Sequence, residues 1–225
     1  RKSLPFFKDK GVSDKKFKKI ISFSKNNRKK TESNSINWLI KNLEIDPLGY
    51  AALSVNELSK LDKDSFNFIV GRVMRTISGN IYSSKTKYIN NFYRNFHKKK
   101  LFLGKFNLGG CSIFYNKPKS NKVFFFREIL KENKKQFFDL NYETFFWDNR
   151  FEVSFKKNMN LYFKKNLSKS FYIDQLKEEG WKKIQGKESI KEKYKIPTKL
   201  FFSLPSIKRY KDKQVLFVPH LKYFY

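Results

Sequence analysis

Fifty lysines and arginines stand against twenty aspartates and glutamates in this chain of 225 residues, a formal net charge of +30. A chain so charged repels itself as it compacts. It stays compact only if an apolar core opposes the repulsion or an anionic partner neutralises it. Material for the core is present. Hydrophobic residues make up 40% and aromatics 18%, with 26 phenylalanines, which argues against global disorder. Nucleic acid leads among anionic partners, because a polyphosphate releases its condensed counterions when lysine and arginine bind it. The cations are 42 Lys and 8 Arg. An AT-rich coding sequence yields the same bias, so composition alone leaves RNA binding and compositional drift both open. A membrane surface is the weaker reading. No run approaches the roughly 20 apolar residues of a spanning helix, and no signal-peptide pattern opens the chain. One cysteine, Cys111, excludes an internal disulfide. With only His97 and His220 beside it, a zinc finger is excluded as well.

Periodicity predicts an α+β chain. Ser13 or Asp14 can cap a first helix carrying Phe17, Ile20, Ile21 and Ser24 on one face. Lys15, Lys16, Lys18, Lys19, Arg28, Lys29 and Lys30 lie on its other side. Ile36, Leu39, Ile40 and Leu43 suggest a second helical run, so this stretch reads as a helical hairpin with a solvated basic face. Asp46-Pro47-Leu48-Gly49 predicts a turn between two short strands, because Pro presets φ and Gly accepts positive φ. Phe66, Ile69, Val70, Val73, Met74 and Ile77 form the stripe of a long helix ended by Gly79. Tyr88, Ile89, Phe92, Tyr93 and Phe96 form the stripe of the next.

From residue 101 the period becomes strand-like. Gly109-Gly110 suggests a bulge or a close backbone approach. Strands are expected at 101–108, 113–115 and 123–126, with a turn over 116–121. Further strands are expected at 144–147, 151–155, 161–163, 200–203 and 215–218. A helix is expected over 174–184, and residues 187–195 read as a solvated loop. The expected organisation is a helical connector over 1–42, a small α+β substrate-binding domain over 43–131 and a β-rich domain over 132–225.

Several phrases, taken in order, resemble the region that follows the catalytic domain in bacterial tRNA(Ile)-lysidine synthetases. They are RKSLPFFKDKGVSDKKFKKI, IDPLGYAALS, the helix pair in LSKLDKDSFNFIVGRVMRTISGNIYSSKTKYINNF, FNLGGCSIFYNKPKSNKVFFFRE, FFWDNRFEV and LPSIKRYKDKQVLFVPHLKY. No phrase is specific alone; their order and spacing over roughly 200 residues carry the likeness. It is weakest over 157–196. The resemblance implies an enzyme that adenylates the wobble cytidine of an isoleucine tRNA with ATP and then lets L-lysine displace AMP. It implies a cytoplasmic ligase that uses ATP and Mg2+ at a catalytic domain preceding this region. On this reading the chain, which opens Arg1-Lys2-Ser3 without methionine, is a fragment whose partners are that domain and isoleucine tRNA. Homodimerisation is left open.

The family's ATP loop has the form Ser-Gly-Gly-x-Asp-Ser, whose backbone N–H groups cradle pyrophosphate. Nothing in this chain matches it. Gly109-Gly110 is followed by Cys111-Ser112 and a strand, so no catalytic or cofactor-binding residue is assigned. Glu143, Asp148 and Glu152 read as carboxylates paired with lysines rather than acid–base catalysts. Cys111 reads as a buried small hydrophobe and His220 as structural. The candidate RNA-binding residues are Arg72, Arg75, Lys85, Lys87, Arg94, Lys98, Lys99 and Lys100, around two helices with apolar inner faces. Arg127 is a candidate with two readings, RNA contact or pairing with a nearby acid. The rival functions are a non-enzymatic, ribosome-associated RNA-binding protein and a structural domain that props up a catalytic half.

Overall fold

The computed structural model describes residues 13–80, 84–98, 105–115, 121–129, 136–137, 144–154, 171–221 and 223–224. The expected α+β class is what the chain adopts. Helix α1 (Asp14–Asn42) is followed by strands β1 (Leu43–Asp46) and β2 (Tyr50–Ser54). Helices α2 (Val55–Ser59), α3 (Lys63–Ser78) and α4 (Thr86–His97) come next, then strands β3 (Lys105–Leu108), β4 (Cys111–Tyr115) and β5 (Lys122–Arg127). Strands β6 (Gln136–Phe137), β7 (Thr144–Trp147), β8 (Phe151–Ser154) and β9 (Phe171–Gln175) lead to helices α5 (Lys177–Lys183), α6 (Lys187–Tyr194) and α7 (Thr198–Phe201). Strands β10 (Pro205–Arg209), β11 (Val215–Val218) and β12 (Tyr223–Phe224) complete the order.

The first sheet runs β1-β2-β5-β4-β3, entirely antiparallel. Its central strand β5 reads Lys-Val-Phe-Phe-Phe-Arg, with no polar alternation, and all four apolar residues are buried. The reason is a cover on each face. Val123 and Phe125 join Ala51, Leu53 and Ile113 against the α3–α4 stripe of Phe66, Ile69, Val73 and Phe92. Phe124 and Phe126 join Ala52 and pack against Leu200 of α7 on the other side. A strand covered twice loses its alternation. The second sheet runs β12-β11-β10-β9-β6, and β7–β8 is a separate hairpin.

Capping sets the helix ends. Ser13 Oγ accepts from Lys16 N at the start of α1. Asp62 accepts from the N–H groups of Asp64 and Ser65 at the start of α3; the Ser65 side chain first, and then these N–H groups, hold its carboxyl below the usual range. Gly79 ends α3 in the left-handed region at φ 63°. Gly109 and Gly110, at φ 59° and 78°, make the two-residue turn between Leu108 and Cys111. That is the positive-φ pair a tight hairpin needs.

Four local expectations are corrected. The hairpin expected over the first 42 residues is one continuous helix of 29 residues. The intervening Asn26-Asn27-Arg28 holds no Pro or Gly to break it. The strand expected at 200–203 is the end of α7 and its turn, and the strand lies at Pro205–Arg209. Leu200 and Phe201 point to two different cores from one helical turn, which mimics an apolar strand run. The expected loop at 187–195 is helix α6, where Ile190 and Tyr194, four residues apart, face the second core. The helix expected over 174–184 begins only at Lys177, and Asp174 and Gln175 belong to β9. The strand expected at 161–163, and residues 116–120 of the expected turn, lie outside the described residues.

A candidate nucleic-acid interface and the arginine clasp behind it

The α3 and α4 helices pair through a 2.6 Å hydrogen bond from Asn67 to Asn90. Ile89 also sits opposite Gly71, where an added Cβ would lie 3.4 Å from Ile89 Cδ1. Phe66 is the shared knob, with ring centroids 5.0 Å from Tyr93, 5.5 Å from Phe96 and 5.7 Å from Phe92. Burying these faces leaves the cations outward. Lys87, Arg94 and Lys98 recur at helical spacing on the side of α4 opposite Ile89, Phe92 and Phe96, and all three are exposed. Lys85, at the helix start, is exposed too. Arg75 is exposed in the last turn of α3.

Arg72 is exposed but engaged. It bonds Glu32 of α1 at 2.6 Å, and its guanidinium lies 4.9 Å from the Phe68 ring centroid. It therefore stands on the flank of α3 that meets α1, whereas Asn67 and Gly71 stand on the flank that meets α4. Lys99 and Lys100 lie outside the described residues.

Arg127 takes the second of its two readings. Its Nε and one terminal nitrogen bond both oxygens of Asp148, at 3.1 and 2.9 Å, and its other terminal nitrogen donates to the Ser78 carbonyl at the end of α3. This is a fork-to-fork pair of the kind arginine makes well and lysine cannot. Asp148 serves a second arginine as well. Arg150 donates to Asp148 Oδ2 from Nε at 3.0 Å and from a terminal nitrogen at 2.9 Å. Arg150 also reaches the carbonyls of Gly49 at 3.4 Å and Ser203 at 3.5 Å. Its side chain is only 5% exposed. Burial drags its pKa down, and Asp148 opposes that shift.

The sequence builds this clasp locally. Asp148 and Asn149 both have φ 53°, and Arg150 N bonds Trp147 O at 3.2 Å. Asp and Asn tolerate the left-handed region better than other non-glycine residues. Trp-Asp-Asn-Arg-Phe is thus a hairpin with a three-residue loop, Asp148 to Arg150 between the paired Trp147 and Phe151, that aims a carboxylate and a guanidinium at the same junction. An added Cβ at Gly79 would lie 2.9 Å from Asp148 O, and one at Gly49 would lie 2.5 Å from Phe151 Cζ. Phe151 in turn meets His220 edge-on, centroids 4.8 Å apart. Burial, then the Arg150 charge, lowers the His220 pKa.

The acid partners were expected to be lysines, but Asp148 bonds two arginines. Glu152 is exposed, and Glu143 lies outside the described residues. Cys111 is buried, donates to the Met74 carbonyl at 3.2 Å, and burial pushes its thiol up to about 12. A thiol so placed is no nucleophile at neutral pH. Sequence reasoning missed a second buried ionic group, in which Lys208 and Lys177 lie 3.4 and 3.3 Å from Asp174 Oδ2. Strand alternation gave no warning of it, since Lys208 sits within a run of buried residues. Among the described residues, no group of three or more His, Cys, Asp or Glu side chains could hold a metal, and no helix is long and apolar enough to cross a membrane.

No family model matches the chain, and no curated protein matches it.

Proposed function

We propose that the chain is the tRNA-binding, non-catalytic portion of a tRNA(Ile)-lysidine synthetase. One observation carries the reading. Four of the six phrases that resemble that family meet at one junction. Gly49 of IDPLG, Arg127 of FFFRE, Asp148, Arg150 and Phe151 of WDNRF, and His220 of FVPH are joined there by the bonds and ring contact described above. Residues spread over about 170 positions that share one polar cluster form a single structural motif, which supports the likeness more than any phrase alone.

The role follows from the charge. Arg75, Lys85, Lys87, Arg94 and Lys98 offer exposed cations on rigid helices. Folded RNA is recognised largely by shape and backbone. This portion holds the body of isoleucine tRNA so that its anticodon loop reaches the catalytic domain, where ATP, Mg2+ and L-lysine act. Binding should be measured across a salt series for isoleucine tRNA and methionine tRNA, both with a CAU anticodon. A preference for isoleucine tRNA that persists as salt rises is expected. Equal affinity with a steep salt slope would overturn the reading in favour of a sequence-blind RNA-binding protein.

A further inference from the structure

Helix α1 leaves the body part-way along its length. Its C-terminal part is anchored: Ser35 is buried, Glu32 bonds Arg72, and Trp38 and Leu39 pack against the first core. From residue 18 through residue 30 every residue is exposed. At 100° per residue, Phe17, Ile20, Ile21 and Ser24 continue the body-facing line of Ser35, Trp38 and Leu39. Lys15, Lys18, Lys19, Lys25 and Lys29 fall on the opposite arc, within about 120° of one another. This stripe spans about 21 Å of helix axis.

The stripe costs the helix stability. Lys15–Lys19 and Lys25–Lys29 are like-charge pairs four residues apart, each destabilising by about 0.2–0.5 kcal/mol. Asp14 is the lone acidic residue of 14–31. Ser22, Ser24, Asn26 and Asn27 add weak helix formers. Tertiary packing does not compensate, because this half stands clear of the core. A polyanion laid along the stripe would remove the repulsion and reinforce the helix.

We infer that the outward face of α1 is an RNA-backbone docking rail, formed by Lys15, Lys18, Lys19, Lys25 and Lys29, separate from the α3–α4 surface. The inference rests on the RNA-binding reading above. Its occupant is the phosphate backbone, because the stripe offers spaced point charges with no arginine fork or aromatic ring among them for reading a base. A duplex carries about one charge per 1.7 Å of axis, so the rail lies alongside roughly a dozen phosphates.

The test compares the full chain with K18Q/K25Q/K29Q, which removes charge without adding acid. Binding to isoleucine tRNA is measured from 50 to 300 mM salt, on the order of the range where counterion release dominates. The slope of log affinity against log salt is expected to fall by about 2–3 in the variant. Amide hydrogens of 15–30 in the parent chain are expected to gain protection from exchange when tRNA is added. An unchanged slope, with tRNA still bound, would overturn the rail and leave the synthetase reading standing. No tRNA binding by the parent chain would overturn both. Loss of binding to phosphatidylglycerol vesicles, with tRNA binding untouched, would also overturn the rail, and would assign the face to a lipid surface instead.

Discussion

Two sets of arginines in this molecule do opposite work. Arg127 and Arg150 side chains are 12% and 5% exposed, and both bind Asp148. Arg75 and Arg94 lie open on α3 and α4. Arg72 stands between, exposed yet bonded to Glu32. The residue type is the same, and what differs is the solvent. In the clasp, guanidinium groups removed from water depend on one carboxylate and three backbone carbonyls. On the helices, water already satisfies them, and a phosphate can replace that water at little cost. The first set fixes how the hairpin, the first sheet and the C-terminal elements meet. The second is free to bind.

The largest effect should come from breaking the clasp. Asp148→Ala leaves two buried guanidiniums without their carboxylate, and a loss of about 3–5 kcal/mol is expected. Urea unfolding of the full chain measures it. A loss under about 1 kcal/mol would mean that water or relaxation compensates, and the contrast with the surface arginines would collapse.

Next in size is Gly49→Ala. Gly49 has φ 78°, and its new Cβ would meet the Phe151 ring at 2.5 Å. A cost of about 1–3 kcal/mol is expected from backbone strain and the displaced ring. Its sum with Asp148→Ala in a double mutant should fall short of additivity, since both disturb the same junction.

On the helices the stability effect should vanish and the binding effect appear. The triple variant R75Q/R94Q/K98Q should unfold within about 0.5 kcal/mol of the parent. Its salt slope for tRNA should drop by about 2–3. Glu32→Ala tests the intermediate case. Freeing Arg72 should change stability by no more than about 1 kcal/mol, and it should strengthen tRNA binding if Arg72 belongs to the free set.

The smallest effect is a pH dependence. His220 is held below its ordinary pKa by burial and by Arg150. Above about pH 6.5 the imidazole is neutral in both folded and unfolded chains. As pH falls below that, the unfolded chain takes up the proton first, so stability drops until pH passes the folded value. The parent chain should therefore lose stability between neutral and mildly acidic pH, and His220→Phe should flatten that part of the profile. An equal slope in both would assign the loss to other groups.

Much of the fold was legible because local rules and tertiary packing agree there. The turn at Asp46-Pro47-Leu48-Gly49 and the α3 stripe with its Gly79 end follow from φ preferences and helical spacing, whereas Gly109-Gly110, expected as a bulge or a close backbone approach, is a tight hairpin turn. Legibility failed where one element serves two cores. Leu200 and Phe201 read as a strand because both are apolar, yet one helical turn sends them to different clusters. It failed again at α6, whose polar composition hid two inward residues, Ile190 and Tyr194. Of the candidate interface, the exposure of Lys87, Arg94 and Lys98 follows from the α4 stripe. The engagement of Arg72 does not, since Glu32 lies 40 residues away.

By itself the sequence determined the charge, the helical and strand periods, the tight turns and the exclusion of a disulfide within the chain. These depend on composition, or on residues a few positions apart. The tertiary structure decided which charges remain available. Asp148 meets Arg127 across 21 residues, and Arg150 reaches Gly49 across 101. Only the packing of three separate segments brings those groups together, and burial converts an arginine that could bind RNA into one that holds the protein's own junction.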